Sequence, residues 1–219
     1  MTHVPVVLGL FLGLVLTMPV PCAPHMVNAP AHAAGPVAVF LQFDNPIPEL
    51  ALQQMQREVF SILRPAGYDF VWLLLTRDLQ MGQYSDLVVV HFTGDCDASR
   101  GRFFPRVGAL KGEPLARTAV SDGVVLPFTE VRCDQMRQFL GVEMSGRKDK
   151  DNAATMGRAL GRVLSHEMFH MLAGTRSHAR SGVARPAHSV QELASEKAFQ
   201  FEPEEIRLLH GIRKRSSED

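Results

Sequence analysis

Hydrophobic and polar positions follow two different periods along this chain. The run VAVFLQF at 37–43 is short and almost wholly apolar, which predicts a buried strand. After prolines at 46 and 48 the period changes. Leu50, Leu52, Met55, Val59, Ile62 and Leu63 return at helical spacing and can share one face, predicting a helix over 49–63 that Arg64-Pro65-Ala66-Gly67 stops. Two further apolar runs, 68–76 (YDFVWLLLT) and 86–93 (DLVVVHFT), predict a second and a third strand. Residues 97–115 carry few periodic apolar positions and read as loop.

The stretch 115–133 divides at Ser121-Asp122-Gly123, a turn signal, and predicts two short strands. Pro127 falls inside the second. A proline has no N–H to give to a ladder, so this run is expected at the edge of the sheet. A short helix over 134–140 and a charged loop at 146–151 come next. Asp151 or Asn152 is placed to cap a long helix over 153–172. A loop around 181–186, helical stretches at 190–199 and 203–212, and a charged tail at 213–219 complete the chain. There is no internal repeat and no sign of a second domain. The order of elements predicts a single α/β domain over 34–212, with a mixed sheet packed against helices.

Composition narrows the function classes. The 219 residues are 46% hydrophobic and 21% charged with zero formal net charge, which suits a globular domain and excludes wholesale disorder. No basic footprint for nucleic acid or for a membrane surface is present. The charge is unevenly placed, however, with no Asp, Glu, Lys or Arg before Asp44. The apolar run from Val4 to Val20 and the small residues Ala31-His32-Ala33 before Ala34 predict a signal peptide over 1–33. The alternative is an uncleaved anchor, for which a 17-residue run with a proline near each end is short. Either way the protein is expected to be secreted or periplasmic, and after cleavage to have no stable membrane association. Cys22 lies in the removed segment behind Pro19-Val20-Pro21, not behind the small residues of a lipoprotein signal. Cys96 and Cys133 remain, an even pair in an oxidising compartment, and predict a disulfide.

The candidate chemistry lies at 164–182, LSHEMFHMLAGTRSHARSG. On a helix, His166 and His170 stand one turn apart on one face, placed to bind one metal ion. Glu167 projects about 100° around the helix, where it can reach a metal-bound water without being a ligand. This is the H-E-x-x-H arrangement of two zinc ligands and a general base. A catalytic zinc needs a third protein ligand and an open position. Gly174 can end the helix in a left-handed conformation, after which the chain can bring His178 back to the metal. Glu192 and His188 are alternative third ligands.

These residues resemble the metzincin clan of zinc peptidases, whose motif is H-E-x-x-H-x-x-G-x-x-H followed by a turn carrying a methionine. This chain reads His166-Glu167-x-x-His170-x-x-x-Gly174-x-x-x-His178, with one extra residue on each side of the glycine. It looks most like a group of small exported bacterial proteases with the longer spacing, in which Ser-Gly-Ile-Met follows the third histidine. Here Ser181-Gly182-Val183-Ala184 puts alanine at the methionine position. The resemblance implies a mostly parallel, twisted mixed sheet on an active-site helix, with a small helical C-terminal part. It implies Zn2+ on His166, His170 and His178, Glu167 as catalytic base, and a peptide or protein substrate laid along an edge strand, for which the Pro127 run is the candidate. Two other readings stay open: a zinc-binding protein with weak or no activity, and a peptidase using Glu192 as ligand.

Overall fold

A computed structural model describes residues 35–75, 82–98 and 113–215. The segment expected to be a signal peptide, with Cys22, most of the loop expected at 97–115, and the last four residues lie outside the described part. The first strand and helix form as the pattern predicts: β1 is Val37–Phe43 and α1 is Glu49–Leu63, continued by a short 3-10 turn over Arg64–Ala66. Gly67 closes that turn at φ 85°. Strands β2 (Phe70–Leu74), β3 (Asp86–Thr93), β4 (Ala116–Ser121) and β5 (Val124–Arg132) follow. The turn between β4 and β5 uses Asp122 and Gly123, both at positive φ, as a two-residue hairpin requires.

The five strands form one mixed sheet in the order β2-β1-β3-β5-β4. Its pairs are parallel except for the antiparallel β4–β5 hairpin. The sheet thus belongs to the expected mixed, mostly parallel class. The edge is not where the proline predicted it. β5, which contains Pro127, is an inner strand, and β4 is the edge. The physical reason lies in the register. Between the pairs Thr118↔Thr129 and Val120↔Val125 the ladder shifts, and Pro127 falls within that irregularity. Its parallel pairing with β3 begins only at Phe128. The missing N–H therefore costs no ladder bond, because a bulge is one of the few places inside a sheet that accepts proline.

The helices depart from expectation mainly at their ends. α2 is Cys133–Met144, longer than 134–140. α3 runs Asp149–Ala173, starting inside the charged loop. Lys148 is its N-cap, without a side-chain hydrogen bond, and Asp149 and Asp151 lie in the first turn, where the helix dipole favours acids. Neither Asp151 nor Asn152 is therefore the cap. α4 covers only Val190–Ala194 instead of 190–199. Carbonyls at and beyond its end are taken by arginines of α3: Arg158 donates to Ala194 O at 2.7 Å and Arg162 to Lys197 O at 2.7 Å. With these carbonyls satisfied, the backbone there does not have to stay helical. α5 is Pro203–Arg215, so the tail begins later than 213. Arg213 is an anchor, donating to Ser85 Oγ at 2.7 Å and to Gly35 O at 2.6 Å.

One core joins sheet and helices. Val37, Val39, Val88, Val90, Phe92 and Val131 from the strands share a cluster with Met55, Val59 and Ile62 of α1 and Met156, Leu160 and Leu164 of α3. α1 and α3 approach closely because Gly157 and Gly161 face α1. A Cβ at Gly157 would run into the Ala51 carbonyl, and one at Gly161 would stand 2.8 Å from the Met55 carbonyl. Arg162, beneath this contact, is 2% exposed and pairs with Glu58 at 2.7 Å, fixing α3 to α1 a second time. Cys96 and Cys133 are disulfide-paired, joining the end of β3 to the start of α2 across the neighbouring ends of β3 and β5. No helix among the described residues is long and apolar enough to cross a membrane.

Candidate metal centre

The C-terminal turns of α3 carry His166, Glu167 and His170. The helix forms here because its apolar positions, among them Leu160, Leu164 and Met168, are fully buried. Gly174 ends it at φ 58°, ψ 30°, the left-handed conformation expected of this residue. The turn has a second consequence. Thr175 donates its N–H to His170 O at 3.1 Å, and its carbonyl lies 2.8 Å from His170 Nδ1. His166 Nδ1 likewise lies 2.8 Å from Val183 O. A carbonyl only accepts, so each Nδ1 carries a hydrogen, and in the neutral form of the ring Nε2 is then the nitrogen with the lone pair.

Those two Nε2 atoms stand 3.1 Å apart. Two nitrogens each about 2.0–2.1 Å from a tetrahedral zinc would be about 3.3–3.4 Å apart, so the pair fits one ion. His178 joins them from the loop beyond Gly174. Its ring lies 5.2 Å from that of His166 and 4.8 Å from that of His170, centre to centre. One ligand atom from each of the three histidines lies within 4.8 Å of the others, and this triad could hold a metal ion. All three candidate donors are imidazole nitrogens, which suits zinc or a similar borderline metal better than magnesium or calcium. Burial lowers the His166 pKa to about 4, with the same direction for His178, so both rings stay unprotonated near neutrality.

Glu167 is 7% exposed, and burial raises its pKa. The opposing influence is Thr118 of β4, whose hydroxyl donates to Glu167 Oε2 at 2.5 Å. Thr118 was not legible as a site residue. It sits in an alternating strand, and only the packing of the edge strand over α3 gives its hydroxyl a role.

The two alternative ligands are placed elsewhere. Glu192 lies outside the triad and is engaged elsewhere: its Oε2 accepts from the Ser189 N–H and hydroxyl, each at 2.8 Å, and both of its oxygens lie 2.7 Å from Arg185 Nη2. It is the N3 member of the capping box of α4. The Ser189 N–H, the Ser189 hydroxyl and Arg185 together lower its pKa to about 2. His188 stands outside the triad, with Nε2 3.2 Å from Val183 O.

Two depressions flank the face of α3 that carries His166 and Glu167. One, of about 230 Å³, lies against His166 and Glu167, with Leu115, Phe139, Val163 and Leu193 as well as Arg185 and His188 among its walls. The other, of about 350 Å³, runs past Thr118, Val120 and His178 and includes Arg176. Ala184, at the position where the resembled enzymes carry methionine, is fully buried. No protein-family model matches this chain, and no curated protein matches it.

Proposed function

We propose that this protein is a zinc-dependent endopeptidase. The observation that carries the reading is the pair of Nε2 atoms of His166 and His170, 3.1 Å apart and each freed by an Nδ1–carbonyl bond, with the buried carboxylate of Glu167 beside them. His166, His170 and His178 would hold the ion. Zinc, when bound, supplies a Lewis acid for the scissile carbonyl and makes water acidic enough to lose a proton near neutrality. Glu167 takes that proton on a carboxylate oxygen as the water oxygen bonds to the carbonyl carbon. It then passes the proton to the amide nitrogen as the C–N bond breaks, so the amine leaves neutral. Thr118 holds the carboxylate in place by donating its hydroxyl to Glu167 Oε2.

The edge strand supports a peptide as substrate. Among the described residues β4 ends the sheet, and the side away from β5 can receive an extended chain by strand addition. The 230 Å³ depression next to Glu167 is of a size to take one apolar side chain. The uncharged N-terminal segment and the disulfide support action outside the cytoplasm.

Ala184 favours a second reading, a zinc-binding protein without activity, because a methyl group supplies less floor under the site than methionine does. One substitution separates the two. Glu167→Gln is expected to leave zinc content unchanged and to lower the cleavage rate of an unstructured protein substrate by about 10²–10⁴-fold, the usual contribution of a general base. Zinc bound at full occupancy by a wild-type protein that cleaves no peptide in a diverse library would leave the second reading standing.

A further inference from the structure

The loop half of the site converges on Val183. Its side chain is fully buried, its N–H donates to Gln200 O at 3.1 Å, and the carbonyl of the next residue accepts from Ala179 N at 2.9 Å, one residue past His178. The Val183 carbonyl receives His166 Nδ1 at 2.8 Å. A second imidazole reaches the same oxygen, His188 Nε2 at 3.2 Å. A backbone carbonyl has two lone pairs, and here both are used.

The tautomer of His188 follows from its other neighbour. Arg185 Nη2 lies 3.4 Å from His188 Nδ1, and a guanidinium can only donate. Nδ1 therefore accepts, and the ring hydrogen sits on Nε2, directed at Val183 O. Arg185 is itself fixed by the Glu192 carboxylate and by a bond from Nε to Ala187 O at 2.7 Å. The Phe199 ring stands against His188 edge to face, with centroids 4.9 Å apart. Both ring nitrogens of His188 are thus engaged, and neither is available to a metal.

We infer that His188 is a positioning residue for the metal ligand His166, holding the Val183 carbonyl, through a second donated hydrogen bond, in the orientation that fixes the His166 ring. This rests on the reading of the triad as a metal site. It gives the capping glutamate of α4 a part in that site, at the far end of a Glu192–Arg185–His188–Val183–His166 series of hydrogen bonds. Such a device suits a chain in which residue 184 offers only a methyl group to brace the same stretch of backbone.

The test compares the full chain with His188→Phe, which keeps a ring against Phe199 but has no donor, and with His188→Gln, whose amide N–H can take the place of Nε2–H. Zinc dissociation constants are measured by competition with a chromogenic chelator. His188→Phe is expected to weaken zinc by about 10-fold or more, within the range found for outer partners of metal-bound histidines, and His188→Gln to stay within about 3-fold of wild type. In the metal-free proteins, the His166 Nδ1–H NMR signal is expected to be slow to exchange in wild type and His188→Gln, and broadened in His188→Phe. Wild-type affinity and an unchanged signal in His188→Phe would overturn the inference while leaving the metal site intact. Absence of zinc binding in all three proteins, wild type included, would remove the metal reading and this inference with it. Should His188→Phe not fold, Arg185→Met decides: it frees the tautomer of His188, and an unchanged zinc affinity there counts against the inference.

Discussion

The two halves of the candidate site are built on opposite principles. His166, Glu167 and His170 ride on a 25-residue helix packed into the core, and each histidine has its Nδ1 tied to a carbonyl. His178 sits on an exposed stretch after Gly174, and among the described residues no hydrogen bond orients its ring. The helical half is therefore already organised before a metal arrives, whereas the loop half must lose side-chain freedom to take part. On the proposed reading, α3 supplies the ligands whose geometry is set in advance, and the loop beyond it completes the site.

Zinc affinity of His170→Ala and His178→Ala, measured side by side, gives the largest contrast. A structural zinc is worth about 10–16 kcal/mol over four ligands, so one ligand accounts for about 10²–10³ in affinity. His178→Ala is expected to lose about that much, and His170→Ala more, because its ring is already fixed when the metal binds. Equal losses would erase the distinction between the halves. A smaller effect probes how the helical half is held. Gly157→Ala would press a methyl group onto the Ala51 carbonyl of α1. Overpacking of this kind costs about 1–3 kcal/mol, offset in part by the roughly 1 kcal/mol preference of a helix for alanine. The expected readout is a melting temperature lower by a few degrees, and an unchanged value would mean that the glycine contact does not position α3.

The smallest effect concerns the anchor of the loop half. The folded pKa of Glu192, about 2, lies below its ordinary value of 4.5. The unfolded chain therefore binds the proton first as pH falls, so the stabilisation is complete above about pH 4.5 and fades as pH drops toward 2. In the metal-free protein, the gap in melting temperature between wild type and Glu192→Gln should be constant from pH 7 to 5 and narrow below that. A gap that persists undiminished at pH 3 would show that the carboxylate charge does not hold this loop.

Much of the helical half was legible in the chain itself. A spacing of four residues brings His166 and His170 together through helix geometry alone, and Gly174 is a residue type whose left-handed freedom ends helices. The disulfide was legible from Cys96 and Cys133, the pair left once Cys22 is set apart with the N-terminal segment. The place of Pro127 was not, because proline excludes a ladder bond at one residue but does not say whether the neighbouring strand leaves a gap there. Nor was the end of α4, which depends on two arginines of α3, some thirty residues away in sequence, taking its carbonyls. Glu192 had a ligand's chemistry in sequence, and tertiary structure gave it a cap and an arginine.

What the sequence by itself determined, then, are the features fixed by local geometry: strand and helix periods, the mixed α/β class, and a helix that turns two histidines and a glutamate to adjoining faces. Only tertiary structure decided which strand forms the edge over that helix, that Thr118 meets Glu167, and that the Val183 carbonyl is shared by His166 and His188. The physical reason is range. Backbone periods act over a few residues, whereas a hydrogen bond between Thr118 and Glu167, 49 positions apart, exists only after the core has closed and removed water from both partners.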